Sequence, residues 1–261
     1  MLIGIRTCIA ALVAVIGVAA APLPAQAAPA VQLSGPSAQI LDSMLAADAS
    51  DSASASALFL GTSYGADTLV GSAGEPEQLV VELEQVDCFT YADYVEALKR
   101  AEDRDSFLAA LTDVRYTDGV VAFENRRHFF TDWAATAPAV ATDVTTAVSD
   151  DAVGTAKQLN QKDNGGVYLP GLPVVEREVS YIPSERVDGQ VVSRLRTGDY
   201  LGAYADDGGL DVTHVGIYVD TPTGPVYRNA SSLASDMAVV DTPLAEYLAT
   251  IPGLVVLRPV R

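Results

Sequence analysis

The apolar residues that follow Cys88 recur with the period of an α-helix. Four of them are separated by four, three and three positions and therefore share one helical face: Tyr91, Val95, Leu98 and Ala101. Asp87 precedes this stretch, and aspartate is a preferred N-cap residue. The pattern predicts a helix from Cys88 to about Arg104 that buries one face, with further short helices over residues 107–114 and 243–250.

The C-terminal half has the alternating pattern of β-strands. In the stretch LDVTHVGIYVD, Val215, Ile217 and Val219 point to one side of a strand while His214 points to the other. Four further strand-like runs are bounded by turn residues: EVSYIPSERV, GDYLGAYA, GPVYRNASS and GLVVLRPVR. Helices followed by strands predict an α+β fold, in which N-terminal helices carrying Cys88 pack on a C-terminal antiparallel sheet.

The chain before these elements divides into two segments. Residues 1–27 have a positively charged start, an apolar stretch and the small-x-small pattern Ala25-Gln26-Ala27, as in a removable signal peptide. Residues 28–77 are rich in small and polar residues, which is typical of a linker or pro-segment. We expect the folded domain at residues 78–261, and a secreted protein that acts outside the cell, in the cell wall or in the periplasm.

Composition narrows the choice of partners. The 261 residues include 34 acidic and 16 basic ones, which gives a formal net charge of -18. This charge disfavours nucleic acid and anionic membrane surfaces as partners. Beyond the signal, no segment is apolar enough to span a membrane. The hydrophobic fraction of 49% is sufficient for a sizeable core in a chain of this length.

Removal of the signal would take Cys8 away and leave Cys88 as an unpaired cysteine. An odd thiol in an exported protein indicates an intermolecular disulfide, a buried inert side chain or a reactive nucleophile. At the start of a helix, free backbone N–H groups and the positive end of the dipole favour a thiolate over a thiol. The alternative is a small apolar residue that packs under the helix.

The sequence contains two histidines, His128 and His214. Zinc hydrolases need two or three histidines at ligand spacing, so we expect neither a metal site nor any other cofactor. His214, on its strand, faces away from the apolar side and is a candidate base for a thiol on a facing helix. A hydrogen-bonded structural histidine is the alternative.

A cysteine–histidine pair also needs a polar group that orients the imidazole. Asn229 follows His214 by fifteen residues, in the stretch VYRNASS, and would lie on the neighbouring strand of a hairpin. A helix cysteine, a strand histidine and a polar residue on the next strand follow the papain order. Asp211 is a second candidate for the orienting role.

Four stretches together resemble the N-acetylmuramoyl-L-alanine amidase-like family, a branch of the NlpC-like, papain-fold cell-wall hydrolases. They are VDCFTYADYVEAL, FENRRHFFTDW, LRTGDYLGAYADDGGLDVTHVGIYV and VYRNASS, and the resemblance covers roughly Leu79 to Arg258. It implies a papain-like, NlpC-type fold, with Cys88 as the nucleophile, His214 as general base and then acid, and Asn229 as the orienting residue. Family members often carry histidine where this sequence has Asn229.

The stretch ENRRHFFTDW is interpreted as one wall of the substrate cleft. The candidate substrate-binding residues in it are Asn125, Arg127, His128, Asp132 and Trp133. Core packing is the alternative interpretation for the aromatic residues of this stretch, because aromatic side chains are usually buried.

These observations predict an exported peptidoglycan hydrolase, a cysteine-dependent amidase or peptidase that works through an acyl-enzyme. The scissile bond is either the lactyl–L-alanine amide of N-acetylmuramic acid or the bond between D-glutamate and the diamino acid. The partner is then a peptidoglycan stem peptide or muropeptide. An acyltransferase or another amide hydrolase on the same scaffold is one alternative, and a wall-binding module with a decayed site is another.

Overall fold

The computed structural model describes residues 30–47 and 49–260. The signal-peptide interpretation of residues 1–27 therefore lies outside the described residues. The eight helices of the described part are α1 Gly35–Leu45, α2 Ser52–Ala57, α3 Cys88–Leu98, α4 Arg104–Arg115, α5 Asp132–Ala135, α6 Thr145–Val148, α7 Gly189–Arg194 and α8 Leu244–Leu248. None of them is both long and apolar enough to cross a membrane.

The strands of the described part alternate with these helices at first and then follow one another. They are β1 Val31–Leu33, β2 Ser63–Tyr64, β3 Leu79–Val81, β4 Gln85–Val86, β5 Ala141–Asp143, β6 Val153–Leu159, β7 Val175–Pro183, β8 Tyr200–Tyr204, β9 Val212–Thr221, β10 Gly224–Ser231, β11 Ala238–Pro243 and β12 Gly253–Pro259. Helices precede most of the sheet, so the α+β prediction is confirmed.

The main sheet is mixed rather than antiparallel. Its order is β4-β2-β11-β10-β9-β8-β12-β7-β6, with β5 pairing with β12. The contiguous strands β8 to β11 are antiparallel, but β2 and β4 pair in parallel. β1 and β3 form a separate parallel pair. The expected all-antiparallel sheet is corrected in this respect, because strands from the N-terminal segment add to its edge.

Helix α3 begins at Cys88, as the apolar pattern predicts. The Asp87 carboxylate accepts hydrogen bonds from the backbone N–H groups of Phe89 and Thr90, at 2.9 and 2.7 Å. In return, the Asp87 N–H donates to the Thr90 hydroxyl oxygen at 3.0 Å, which completes a capping box. The helix ends earlier than expected, at Leu98, because Asp103 caps the separate helix α4.

Residues 30–77, which we expected to be a linker or pro-segment, form ordered elements that pack on the rest of the fold. Leu41 of α1 and Phe59 after α2 are fully buried. Both helices have capped starts, at Ser34 and Asp51. The composition is misleading here because small side chains allow close helix packing, and a few large residues then suffice to anchor the segment.

Two apolar clusters cover the two faces of the sheet. One face packs against α3 and α4 through residues that include Tyr91, Val95 and Ile217. The other face holds Tyr218 and Tyr227 beneath the short C-terminal helices. The start of α3 consequently meets β9 near its first residues, which is where the candidate nucleophile and base are carried.

Candidate active site

Cys88 and His214 line the same cavity, which has a volume of about 220 Å³. Its other walls are mostly aromatic and aliphatic, with Phe89, Tyr168 and Leu210 among them. Cys88 is partly exposed and unpaired, and the backbone of Val215, the residue after His214, hydrogen-bonds to its sulfur. The structure thus brings the predicted thiol and imidazole together.

The Cys88 thiol is neutral at physiological pH, contrary to the prediction from its place at the helix start. Burial and then the adjacent Asp87 carboxylate raise its pKa to about 12. Backbone hydrogen bonds from Val215, Cys88 and Phe89 act in the opposite direction but are weaker. The residue that caps the helix therefore also opposes the ionisation that the helix dipole would favour.

The His214 imidazole is held by Asn229, as the sequence predicts. Nε2 lies 2.9 Å from Asn229 Oδ1, and the Asn229 Nδ2 group donates to Tyr227 O and Thr242 Oγ1 at 3.2 and 3.4 Å. Because Oδ1 only accepts, Nε2 carries the proton and Nδ1 is left as the basic nitrogen. Burial lowers the pKa of His214, while Asn229 and Asp87 raise it, and the net shift is downwards.

Asp211, the alternative orienting residue, has its oxygens engaged elsewhere. Oδ2 accepts from the Thr131 N–H and hydroxyl at 2.7 and 2.8 Å, and Oδ1 accepts from the Val212 N–H at 2.8 Å. Burial raises the pKa of this carboxyl. The structure therefore places Asp211 as an anchor between the 131–133 region and the start of β9.

Of the five candidate substrate-binding residues in ENRRHFFTDW, His128 is the one that lines this cavity. Its Nε2 donates to Phe123 O at 2.7 Å. Burial lowers its pKa, so the ring is neutral at physiological pH. His128 thus presents one face of a neutral ring to whatever occupies the cavity.

The other four residues of that set make structural contacts, which corrects their interpretation. The Arg127 guanidinium is buried and donates to Thr136 Oγ1 and to four backbone carbonyls. Asp132 is paired with Arg177 at 2.6 Å. Trp133 is fully buried, with its ring centroid 4.8 Å from that of Tyr200. Asn125 donates to Thr117 Oγ1 at 3.2 Å.

Tyr64 lies near Cys88 without lining the cavity, a placement that sequence reasoning missed. It lies in β2, with Val86 as its partner in the parallel ladder, and so sits beside the start of α3. Burial and the charges of Cys88 and Asp87 raise its pKa. Its hydroxyl has no hydrogen-bond partner among the described residues. The surrounding stretch GTSYGAD has turn-like composition, and nothing in its pattern indicated a strand beside Cys88.

A second cavity of about 620 Å³ continues from the first. Leu169 lines both, and consecutive residues, Asp87 and Cys88, line one each. On the opposite wall, Phe123 of the second cavity touches His128 of the first, with ring centroids 4.8 Å apart. The two cavities are therefore successive parts of one groove. A cavity of about 680 Å³ lies at the other end of α3, near Arg100, away from the thiol.

No arrangement of three or more His, Cys, Asp or Glu side chains within residues 30–47 and 49–260 is suited to hold a metal ion. The first cavity brings together a thiol and an imidazole, and the imidazole is hydrogen-bonded to a carboxamide. A thiol beside a neutral imidazole that is oriented by a carboxamide can attack a carbonyl and pass its proton to the ring.

Sequence comparison identifies the family of the chain. Residues 54–254 match the family described as N-acetylmuramoyl-L-alanine amidase-like, or AmiA-like. The chain belongs to this family. The match spans the groove and both cavities, and it begins within α2, before the boundary at residue 78 that we expected for the folded domain. No curated protein sequence matches the chain.

Solved structures share the AmiA-like fold. An N-acetylmuramoyl-L-alanine amidase from Bacteroides uniformis superposes with a TM-score of 0.67 at 26% identity, over 82% of this chain and 99% of its own. A Legionella pneumophila protein superposes with a TM-score of 0.70 over 87% of this chain and 94% of its own, and at 20% identity it shows the fold alone. The predicted resemblance is thereby confirmed.

Proposed function

We propose that this AmiA-like protein is an exported, cysteine-dependent peptidoglycan amidase that cleaves the lactyl–L-alanine bond of N-acetylmuramoyl peptides. The observation that carries the proposal is the shared cavity of Cys88 and His214, with Nε2 of the imidazole held by Asn229. Export is motivated by the signal-like residues 1–27. The substrate class is motivated by the family and by the name of the Bacteroides uniformis structure.

The proposed reaction begins with both groups neutral. The Cys88 sulfur attacks the lactyl carbonyl carbon while its proton moves to Nδ1 of His214, and the carbonyl becomes an oxyanion. In this proposal the N–H of Cys88 at the helix start is one donor to this oxyanion, and the hydroxyl of Tyr64, on the strand that pairs with Val86, is the second. Collapse breaks the C–N bond, and His214 gives its proton to the departing alanine nitrogen.

Hydrolysis of the thioester completes the cycle. His214, now neutral again, takes a proton from water as the water oxygen attacks the acyl carbon. The C–S bond then breaks, the thiol recovers its proton from the imidazolium, and the muramic acid carboxylate leaves. Asn229 keeps the ring in one tautomer through both halves, because its Oδ1 accepts only from Nε2–H.

The charge of the first cavity favours the lactyl–L-alanine bond over the D-glutamate bond. Its lining contains no lysine or arginine, its carboxylate Asp211 is already hydrogen-bonded, and both of its histidines have lowered pKa values. The lactyl and alanine groups bring methyl groups into this space, whereas D-glutamate brings a free carboxylate near the scissile bond. A carboxylate buried without a cationic partner is strongly disfavoured.

Two substrates and one substitution test the proposal. Purified enzyme should release L-alanyl-D-isoglutamine from N-acetylmuramoyl-L-alanyl-D-isoglutamine, and it should leave L-alanyl-γ-D-glutamyl-diaminopimelate intact, as followed by mass spectrometry. Cys88→Ala should abolish release. Asn229→Ala should lower kcat by about 10², whereas Asn125→Ala, the matched control at a residue that lines neither cavity, should change it less than twofold.

Other outcomes would point to the alternatives. Cleavage of the glutamyl bond alone would leave the mechanism standing and refute the bond assignment. An unchanged rate in Cys88→Ala would refute the mechanism. Binding of sacculi by wild type and Cys88→Ala alike, with no product from either, would identify a wall-binding module instead.

A further inference from the structure

Arg228 precedes Asn229 on β10, and its side chain is almost completely buried. The guanidinium donates to both carboxylate oxygens of Asp241 on β11, at 2.6 and 2.9 Å. Its third nitrogen donates to Ser56 Oγ at 3.0 Å and to Ala53 O at 3.2 Å, both on α2. Paired hydrogen bonds of this kind fix the position as well as the charge of both partners.

The hydrogen-bonded pair of Arg228 and Asp241 lies next to Thr242, the residue on β11 that Asn229 contacts. Arg228 and Asp241 face each other directly in the β10–β11 ladder. The next residue along β11, Thr242, supplies the hydroxyl that accepts from Asn229 Nδ2. A slip or twist between the two strands would move this hydroxyl and free the carboxamide to rotate. The orientation of Oδ1 toward His214 therefore depends in part on the contact made by Arg228, alongside the bond from Asn229 Nδ2 to Tyr227 O on the same strand.

Helix α2 connects the same arginine to the helix that carries the thiol. Ser56 O accepts from the hydroxyl of Tyr91 on α3 at 3.5 Å. Phe59, just after α2, packs edge-on against the Tyr91 ring with centroids 5.5 Å apart. One short helix thus touches both β10, which carries the orienting residue, and α3, which carries Cys88.

We infer that Arg228 is a positioning residue of the active site, which, clamped by Asp241 and α2, holds Asn229 in the orientation that His214 requires. The inference rests on the proposed function in taking His214 as the base. It gives the alanine- and serine-rich segment a role, since α2 is part of the frame that aligns base and nucleophile. Arg228 itself touches neither substrate nor the imidazole.

A double-mutant cycle tests the inference with the full-length mature protein. Arg228→Gln should lower kcat about tenfold with KM changed less than twofold. In the Asn229→Ala background, the same substitution should cost less than twofold, because the group that it positions is gone. Additive losses in the cycle would overturn the inference.

The pH profile supplies a readout that loss of stability alone would not move. The titratable groups around His214 are Asp87 and Cys88 at the start of α3, Tyr227 on β10, Tyr247 on α8, and, in the walls of the shared cavity, His128, Tyr168 and Asp211. The ring centroids of Tyr227 and Tyr247 lie 6.1 and 6.4 Å from that of His214. Arg228→Gln leaves all of these groups in place, and Arg228 is not itself among the charges that shift the pKa of His214, so the effect on His214 passes through the hydrogen bond with Asn229. The acid limb of kcat should therefore move to lower pH, as it does in Asn229→Ala, and an unmoved limb would contradict the inference.

A pair of serine substitutions covers the case in which Arg228→Gln does not fold. Ser56→Ala removes the α2 acceptor of Arg228, whereas Ser54→Ala removes a hydroxyl that bonds only to Asp51. Ser56→Ala should lower kcat at least threefold more than Ser54→Ala at matched temperature below unfolding, and equal effects would refute the role of α2. Failure of the proposed function can be told apart from failure of this inference. If the proposed function were wrong, Cys88→Ala and His214→Gln would remain active.

Discussion

Burial and one carboxylate, rather than the helix dipole, set the ionisation of Cys88. The position at the start of α3 suggested a thiolate, and dipole effects at helix ends amount to about 0.3–1 kcal/mol at exposed sites. Removal of the thiol from water and the neighbouring Asp87 outweigh that effect and raise the pKa to about 12. The resting pair is therefore thiol and imidazole, and proton transfer must accompany attack on the carbonyl.

The rate of hydrolysis should consequently follow the titration of His214. The base works only when neutral, and burial lowers its pKa from 6.5, so the acid limb of kcat/KM should have its midpoint below pH 6.5. Asp87→Asn keeps a good N-cap and removes a charge that raises the pKa of both residues. In that variant the limb should move to still lower pH, as measured between pH 4.5 and 8.

Alkylation by iodoacetamide gives an independent check of how the Asp87 charge affects the ionisation of Cys88. At pH 7 the wild-type thiol should react far more slowly than free cysteine, whose pKa is about 8.5, and Asp87→Asn should speed the reaction. A wild-type acid limb at or above pH 6.5, or fast alkylation at pH 6, would contradict the neutral resting pair.

At the scale of single elements, periodicity predicted what faces the core and little else. The start of α3 follows from the Asp87 cap and the apolar spacing after it, and the alternation of β9 follows from apolar spacing, so Cys88 and His214 were placed correctly within their own elements. The end of α3 was missed because the Asp103 cap starts a new helix with the same apolar stripe. Helix α2 was missed because its anchoring depends on tertiary contacts of a few large residues.

The cleft wall shows why polar residues are harder to place from sequence. Arg127 was interpreted as a substrate ligand together with the rest of the stretch ENRRHFFTDW. Four of its acceptors are backbone carbonyls, contributed by residues 113–116 and by Pro138. The direction in which a backbone carbonyl points cannot be predicted from residue types. Tyr64 was missed for the converse reason, since its neighbour Val86 is brought near by strand pairing across an intervening loop.

Replacement of Arg127 by lysine should therefore lower stability rather than alter substrate affinity. Lysine has three donors where the guanidinium makes five hydrogen bonds, so at least two buried acceptors lose their partner, at about 1–3 kcal/mol each. The free energy of unfolding should fall by roughly 3 kcal/mol in urea titrations, while KM below the transition stays within twofold of wild type.

The matched control for Arg127 is Arg104→Lys. Arg104 forms an exposed pair with Asp42, and exposed pairs contribute about 0–1 kcal/mol. A similar loss of stability in both variants would show that the buried carbonyl contacts of Arg127 are not special. A rise in KM with unchanged stability would restore Arg127 to the substrate site.

At the scale of the whole molecule, the described segment before residue 78 packs on the rest of the fold and contributes a strand to its main sheet. β2 enters the main sheet between β4 and β11, and α2 touches α3 and β10 from the same side. The groove lies where the helical half meets the sheet half, so its geometry depends on how firmly these halves are held together. Removal of the alanine- and serine-rich segment would thus disturb the site and not merely shorten a tail.

The stability of the whole chain should also fall on mild acidification, because its described histidines are buried in neutral form. Burial lowers the pKa of His128 in the folded protein from 6.5. As the pH drops through 6.5, the unfolded chain binds a proton that the folded protein does not, so the free energy of unfolding decreases. The decrease from one such group approaches about 1.4 kcal/mol per pH unit and ends below the folded pKa.

Comparison with His128→Gln isolates this contribution from those of the carboxyl groups. Burial raises the pKa of Asp93 and Asp211, which acts in the opposite sense at lower pH but equally in both proteins. The difference in unfolding free energy between wild type and His128→Gln should therefore shift in favour of the variant as the pH falls below 6.5, as urea titrations at several pH values would measure. A difference that is independent of pH would mean that His128 titrates alike in the folded and unfolded chain, and hence that this wall of the groove is open to water.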